Sequence, residues 1–217
     1  MSTTVDALLP LSLLEAVRNV DRPDGDQEAE FVPELLNKRF GTSETVYAQI
    51  RRYTDAVKRN QRTAQDEAVA LARLIGRRPD ADSVFRAAGR HLARESYLTI
   101  PATTREMIGV LPTLFARPLA LRRMARIARR YLNGTLRRTG AFLLLEVPSS
   151  VTLGSAPHAA GCAFYESVLK ELLRLLGSEG STVEHVRCAG RNEGVCAWRA
   201  EWRAAIRQPD EAESKTA

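Results

Sequence analysis

Residues 185–196, HVRCAGRNEGVC, gather one of the chain's three histidines and two of its three cysteines. The remaining cysteine, Cys162, lies 26 residues before Cys188. Thiolate sulfur and imidazole nitrogen are the donors zinc takes in tetrahedral sites. Cys188 and Cys196 flank a loop with two glycines, which fits a hairpin that returns both thiols to one side. Other readings fit the same spacing. One is a Cys188–Cys196 disulfide across the hairpin, and another takes Cys162 as a small buried apolar residue on a helix. The interval between Cys188 and Cys196 is wider than the tight pairs of zinc fingers, so spacing alone leaves these readings open. Glu184 is an alternative donor to His185, although regular strand alternation sets the two on opposite faces.

Other residues could carry chemistry. Arg117, Arg122, Arg123, Arg126, Arg129, Arg130, Arg137 and Arg138 crowd residues 117–138. They could form an anion-binding face for nucleic acid, acidic lipid or a protein. A solvated amphipathic helix with Leu121, Met124, Ile127, Ala128 and Tyr131 turned inward explains them as well. Stacking aromatics are not interleaved, so neither a strong nucleic-acid signal nor a strong membrane signal results. His91 follows Gly89 and Arg90 on a helix and could meet a ligand, or be a plain surface or core histidine. His158 precedes Gly161 and Cys162 and could support a metal ligand. For catalysis little is legible. The chain has no Gly-x-Ser-x-Gly, no dinucleotide-binding glycine fingerprint and no phosphate-loop lysine pattern. A non-catalytic role is therefore expected.

These groups must be positioned by a chain of 217 residues, 44% hydrophobic and 27% charged, the profile of a globular protein. Its 32 basic and 26 acidic residues give a net charge of +6, a mixed surface rather than a polycation. The first residues lack the basic-then-apolar layout of a signal peptide, and no apolar run is long enough to span a bilayer. A cytoplasmic protein with reduced thiols is the expectation, and such thiols gathered in one place favour metal binding over cross-linking. Helical spacing runs over 5–20, then twice over 43–75, where Ser43 is a candidate N-cap with Val46, Ile50 and Tyr53 facing inward. A further helix starts at Asp82 or Ser83. Two more fill 102–133, with a break expected at Arg117–Pro118. The acidic stretch 21–31 reads as a loop. The pattern then changes. TGAFLLLEVP is strand-like, HAAGCAFYESVLKELLRLLG is an amphipathic helix, and STVEHVRC and VCAWRAEWR are short strands. Helices followed by strand, helix, strand and strand predict an α+β fold with an antiparallel sheet packed by helices. From Gln208 the chain reads as a polar, disordered tail.

The segment AAGCAFYESVLKELLRLL, followed by STVEHVRCAGRNEGVCAWRAEW, resembles the 4-vinyl reductase domain family. There a helix opened by Gly-Cys leads to a hairpin with Cys, a glycine-containing loop and a second Cys. VFRAAGRHLAR is similar to an earlier glycine-centred helix of that domain. The resemblance covers roughly residues 80–205. It implies a fold like that of transport-complex (TRAPP) subunits and nitric-oxide sensors, often dimeric. It divides the chain into an N-terminal helical extension (1–78), the ligand-binding domain (79–207) and the tail (208–217). In the sensor modules of aromatic-responsive transcription activators, this domain binds a structural zinc through three cysteines and an acidic residue. That pattern falls on Cys162, Cys188 and Cys196. The acidic position falls at His185, with Glu184 one residue away. The implied function is a zinc-stabilised module binding a small hydrophobic or aromatic ligand and acting through a separate signalling partner, as a homodimer. Candidate pocket residues are Phe85, Leu92, Tyr97, Met107, Leu111, Phe115, Phe142, Leu144, Phe164 and Trp198, each of which could equally be plain core. An accessory or carrier role in (bacterio)chlorophyll tetrapyrrole metabolism, and a structural adaptor subunit, are the alternative expectations.

Overall fold

The computed structural model describes residues 3–21, 43–155, 160–178 and 180–202. The acidic loop beyond Asp21, His158 and the polar tail lie outside the described residues. The elements, in chain order, are β1 (Thr4–Asp6), α1 (Leu8–Asp21), α2 (Glu44–Lys58), β2 (Arg62–Ala64), α3 (Gln65–Gly76), α4 (Ala81–Leu98), α5 (Ala102–Val110) and α6 (Thr113–Tyr131). After these come β3 (Thr135–Thr139), β4 (Phe142–Val147), α7 (Cys162–Leu175), β5 (Val183–Arg187), a 3-10 turn (Ala189–Arg191) and β6 (Cys196–Glu201). The fold is α+β. Strands β3-β4-β6-β5 form a four-stranded antiparallel sheet, and β1 pairs with β2 in a second, small one.

Alternation sorts the larger sheet into two faces. Leu143, Leu145 and Val147 on β4 stand opposite Ala200, Trp198 and Cys196 on β6, and all are buried. This face meets α7. Helix α7 is buried over most of its circumference, through Phe164, Tyr165, Val168, Leu169, Leu172 and Leu173, and shows solvent only a narrow polar stripe with Lys170 and Arg174. A helix of that kind needs cover on both sides. The sheet supplies one cover and α4 the other, through Val84, Phe85, Ala88, Leu92 and Ala93. Helix α1, equally apolar in LLPLSLLEAV, packs on α4 in turn. The buried cluster thus includes residues of α1, α2 and α3 together with those of the sheet.

The α4–α7 crossing is closest at Gly89, where an added Cβ would lie 2.3 Å from the Phe164 carbonyl oxygen and 2.9 Å from the Ser167 Cβ. Ion pairs rim the same crossing. Glu171 accepts from Arg94 Nε at 2.8 Å and from Arg174 Nη2 at 2.9 Å, and Arg86 reaches Glu166 at 2.9 Å.

Local expectations are met at Ser43, whose hydroxyl accepts from the Val46 N–H. Two were not. The break expected at Pro118 lies at Leu111–Pro112 instead, and Pro118 sits inside α6. Leu111 has ψ 146°, the extended conformation a following proline imposes, so the same rule applies six residues earlier. Strand β3, TLRRT, falls in the arginine-rich run. It buries only Leu136, so its sequence carries too little alternation to mark it.

Gly89→Ala should destabilise the fold by roughly 1–3 kcal/mol through overpacking at a backbone contact, measured by denaturant unfolding. A second prediction concerns acid. Arg174 and then Arg94 hold the Glu171 carboxyl down at about 2, below its ordinary 4.5. Because the folded value is the lower one, its stabilisation is complete above about 4.5 and is lost as pH falls toward 2. Glu171→Gln should therefore flatten the fall in stability over that window and lower stability at neutral pH by about 1 kcal/mol. Unfolding curves collected across the pH series check both.

Candidate metal centre

Cys162 opens α7, directly after Gly161. This junction is held from the preceding loop. Thr152 Oγ1 donates to the Gly161 carbonyl at 2.6 Å, and Ser155 Oγ donates to the Thr152 carbonyl. A Cβ at residue 161 would lie 2.3 Å from the Thr152 carbonyl oxygen, so only glycine lets loop and helix approach this closely. One turn on, the Tyr165 hydroxyl accepts from the Val151 N–H at 3.0 Å, which fixes the loop to the helix from within the core.

His185 and Cys188 come from the other side, His185 on β5 and Cys188 directly after it. Three residues apart on a regular strand, they would face opposite ways. Strand β5 is not regular. His185 pairs with Trp198 and Arg187 with Ala197, so Val186 is an extra residue, a β-bulge. The bulge returns Cys188 to the side of His185. The chain then tightens into the 3-10 turn, where the N–H groups of Arg191 and Glu193 both donate to the Cys188 carbonyl. Glu193 reaches back to accept from the Cys188 N–H at 2.7 Å. Asn192 closes the turn in the left-handed region with φ 62°. Cys196, the first residue of β6, lies on the inner face of the sheet.

The four donor atoms of Cys162, His185, Cys188 and Cys196 all lie within 4.8 Å of one another. Cys162 Sγ and Cys188 Sγ are 3.9 Å apart. A tetrahedral zinc–thiolate site with bonds of about 2.3 Å has sulfur–sulfur edges of about 3.8 Å, so the spacing fits a metal with little adjustment. The three cysteines are buried and none is in a disulfide. His185 Nε2 is buried with no hydrogen-bond partner. A buried nitrogen of this kind is costly unless something binds it, and a metal would do so.

The surroundings hold these donors in place. The His185 ring stacks on Trp198 at 4.9 Å with 14° between planes, and Trp198 stacks on Tyr165 at 5.0 Å. Phe164 meets Tyr165 edge-on at 5.1 Å. The histidine is therefore oriented by an aromatic column rooted in α7. Electrostatics separate the thiols. Hydrogen bonding from Cys162 pulls the Cys196 thiol below its ordinary value against the burial that raises it, with help from the Ala189 N–H at 3.4 Å. Cys162 is pushed up by the same hydrogen bond, by burial and by its cysteine neighbours. The lowered value of Cys196 favours the thiolate, the form a metal requires.

Glu184 does not join the cluster. It pairs with Arg199 at 2.7 Å on the outer face of the sheet, so His185 completes the donor set. The expected pocket residues do not share one site. Phe85, Leu92, Phe164 and Trp198 are fully buried, and Tyr97 and Leu111 are half-buried. Phe142 and Leu144 alternate to the outer face, away from Trp198. Met107 and Phe115 are exposed, at 52% and 62%, because the turn at Leu111–Pro112 carries them outward. His91 is half-buried on α4. Sequence reasoning missed Tyr165, Ala189 and Glu193, and it gave Gly161 no part in the site. Of these, only the Gly-Cys pair gave a signal, in the resemblance.

Metal analysis of the purified chain should find about one divalent ion per chain, and Cys162→Ser, Cys188→Ser and Cys196→Ser should each lose most of it. Three freely titrating thiols with no bound metal would overturn the assignment. Neither a family model nor a curated protein matches this chain, so the reading of a soft, four-donor metal centre between α7 and the β5–β6 hairpin rests on its geometry.

Proposed function

We propose that the chain is a zinc-stabilised, non-catalytic module that binds a small hydrophobic or aromatic ligand. The observation that carries this reading is the enclosed set of three thiols and one imidazole within 4.8 Å. Three sulfur donors and an imidazole select zinc among common divalent ions, and a fourth protein donor leaves no open position for a substrate. The ion would then act structurally. Cys188 and Cys196 would bind from the hairpin, Cys162 from the helix and His185 from the bulged strand, joining three elements at one point.

Support for the ligand comes from the core beside the metal centre. Trp198 is fully buried, and its indole N–H has no acceptor. An oxygen on an otherwise apolar ligand could take that hydrogen bond, while Tyr165 and Phe164 offer aromatic surface. The resemblance to the 4-vinyl reductase domain points the same way, toward a sensor-like role as a homodimer with a separate signalling partner.

Trp198 and Trp202 are the chain's two tryptophans. With Trp202→Phe, emission reports on Trp198 alone. Titration with simple phenols should give a saturable emission change and a raised Tm, by ~2.7 kcal/mol of stabilisation at a hundredfold excess over Kd. Saturable binding of a porphyrin in place of phenols would favour a tetrapyrrole carrier. No response to either would sink the ligand-binding reading while leaving the metal centre standing.

A further inference from the structure

The corner between α5 and α6 breaks the usual rule for a globular surface. Met107 is 52% exposed, Val110 80%, Leu114 74% and Phe115 62%, all within nine residues of sequence. Isolated exposed apolar residues need no explanation, but a contiguous group of large ones marks a contact surface. The core does not need these side chains. Helix α6 buries Ala120, Met124, Ile127 and Tyr131 on its other side.

The same exposed face continues as a stripe of arginine. At 100° per residue, Phe115, Arg122, Arg126 and Arg129 fall within an arc of about 60°. The three arginines are exposed. None is in an ion pair among the described residues, whereas Arg130 beside them pairs with Asp6. From residue 101 to residue 131 the sequence holds seven arginines and one acid, Glu106. The helix is 19 residues long, so the stripe runs about 20 Å from the apolar corner.

We propose that this surface docks on an anionic lipid bilayer, with the α5–α6 corner entering the interface and the arginine stripe lying against the headgroup phosphates. Charge complementarity selects this occupant. An anionic bilayer offers both halves of the match, an apolar phase for Val110, Leu114 and Phe115 and a layer of negative charge for Arg122, Arg126 and Arg129. Nucleic acid supplies the charge but no apolar phase. A second copy of the chain supplies the apolar match but sets one arginine stripe against another. No helix of the described residues is long and apolar enough to cross a membrane, so the attachment is peripheral. It shares no residue with the Cys–His cluster and is independent of the metal.

The test is co-sedimentation of the full chain with phosphatidylcholine vesicles, with and without phosphatidylserine. Binding is expected only where phosphatidylserine is present, and it should weaken with added salt. The triple substitution Arg122→Gln, Arg126→Gln, Arg129→Gln should weaken it by about a hundredfold, at roughly fivefold per arginine. The pair Val110→Ser and Phe115→Ser should weaken it at unchanged charge. All five positions are exposed, so both variants should keep the circular dichroism and Tm of the parent. Absent binding to either vesicle, or binding that both folded variants retain, overturns the proposal. So does self-association lost in the apolar variant, or retention on duplex DNA, where vesicles are ignored.

Discussion

Helix α7 is covered on both sides, by the sheet and by α4, and the position of its first turn decides what the rest of the molecule can do. A narrow polar stripe sets the orientation of such a helix only coarsely, because burial is non-directional. The finer orientation is set by contacts that tolerate no slip. Gly89 lets α4 touch the Phe164 carbonyl, Gly161 lets the 150–155 loop touch the helix start, and the Tyr165 hydroxyl takes the Val151 N–H. Each is a fit of backbone against backbone or of a buried polar atom to its partner. Together they place Cys162 where the hairpin thiols can reach it.

The aromatic column carries that placement across to the sheet. Tyr165 on α7 stacks on Trp198 of β6, which stacks on His185 of β5. Helix, central strand and edge strand are thus aligned before any ion is considered. Preorganised donors lose less freedom on binding, and here the freedom is removed by packing rather than by hydrogen bonds to the imidazole.

Much of this was legible in the sequence where the signal was periodic or chemical. The helical face of α7, the strand character of β4 and the alternation of β6 follow from residue type and spacing, whereas spacing left the grouping of Cys162, His185, Cys188 and Cys196 open and the resemblance supplied it. The choice between His185 and Glu184 did not follow from spacing either. Regular alternation puts Cys188 on the side of Glu184, and only the bulge at Val186 reverses that; no residue in VEHVRC announces a bulge. The expected pocket residues fall on different faces for a related reason. Apolar residues at strand or helix spacing mark buried faces in general, and Phe142 and Leu144 satisfy the pattern while facing away from Trp198. Two prolines, Pro112 and Pro118, gave equal grounds for a helix break. Only the first acted: Leu111 is extended, while Pro118 lies inside α6.

The bulge in β5 has a second effect, on the sheet as a whole. In the order β3-β4-β6-β5, strands β3 and β5 are the edges, each with unpaired backbone groups that another chain could extend. Strand β3 carries exposed Arg137 and Arg138, one on each face, a charged border. Strand β5 has its hydrogen-bond ladder interrupted at Val186 and then folds away into the 3-10 turn. A strand bent to bring Cys188 to the side of His185 is a poor template for an incoming strand. The bulge that brings Cys188 to the metal centre therefore also guards the sheet against growing beyond its own four strands.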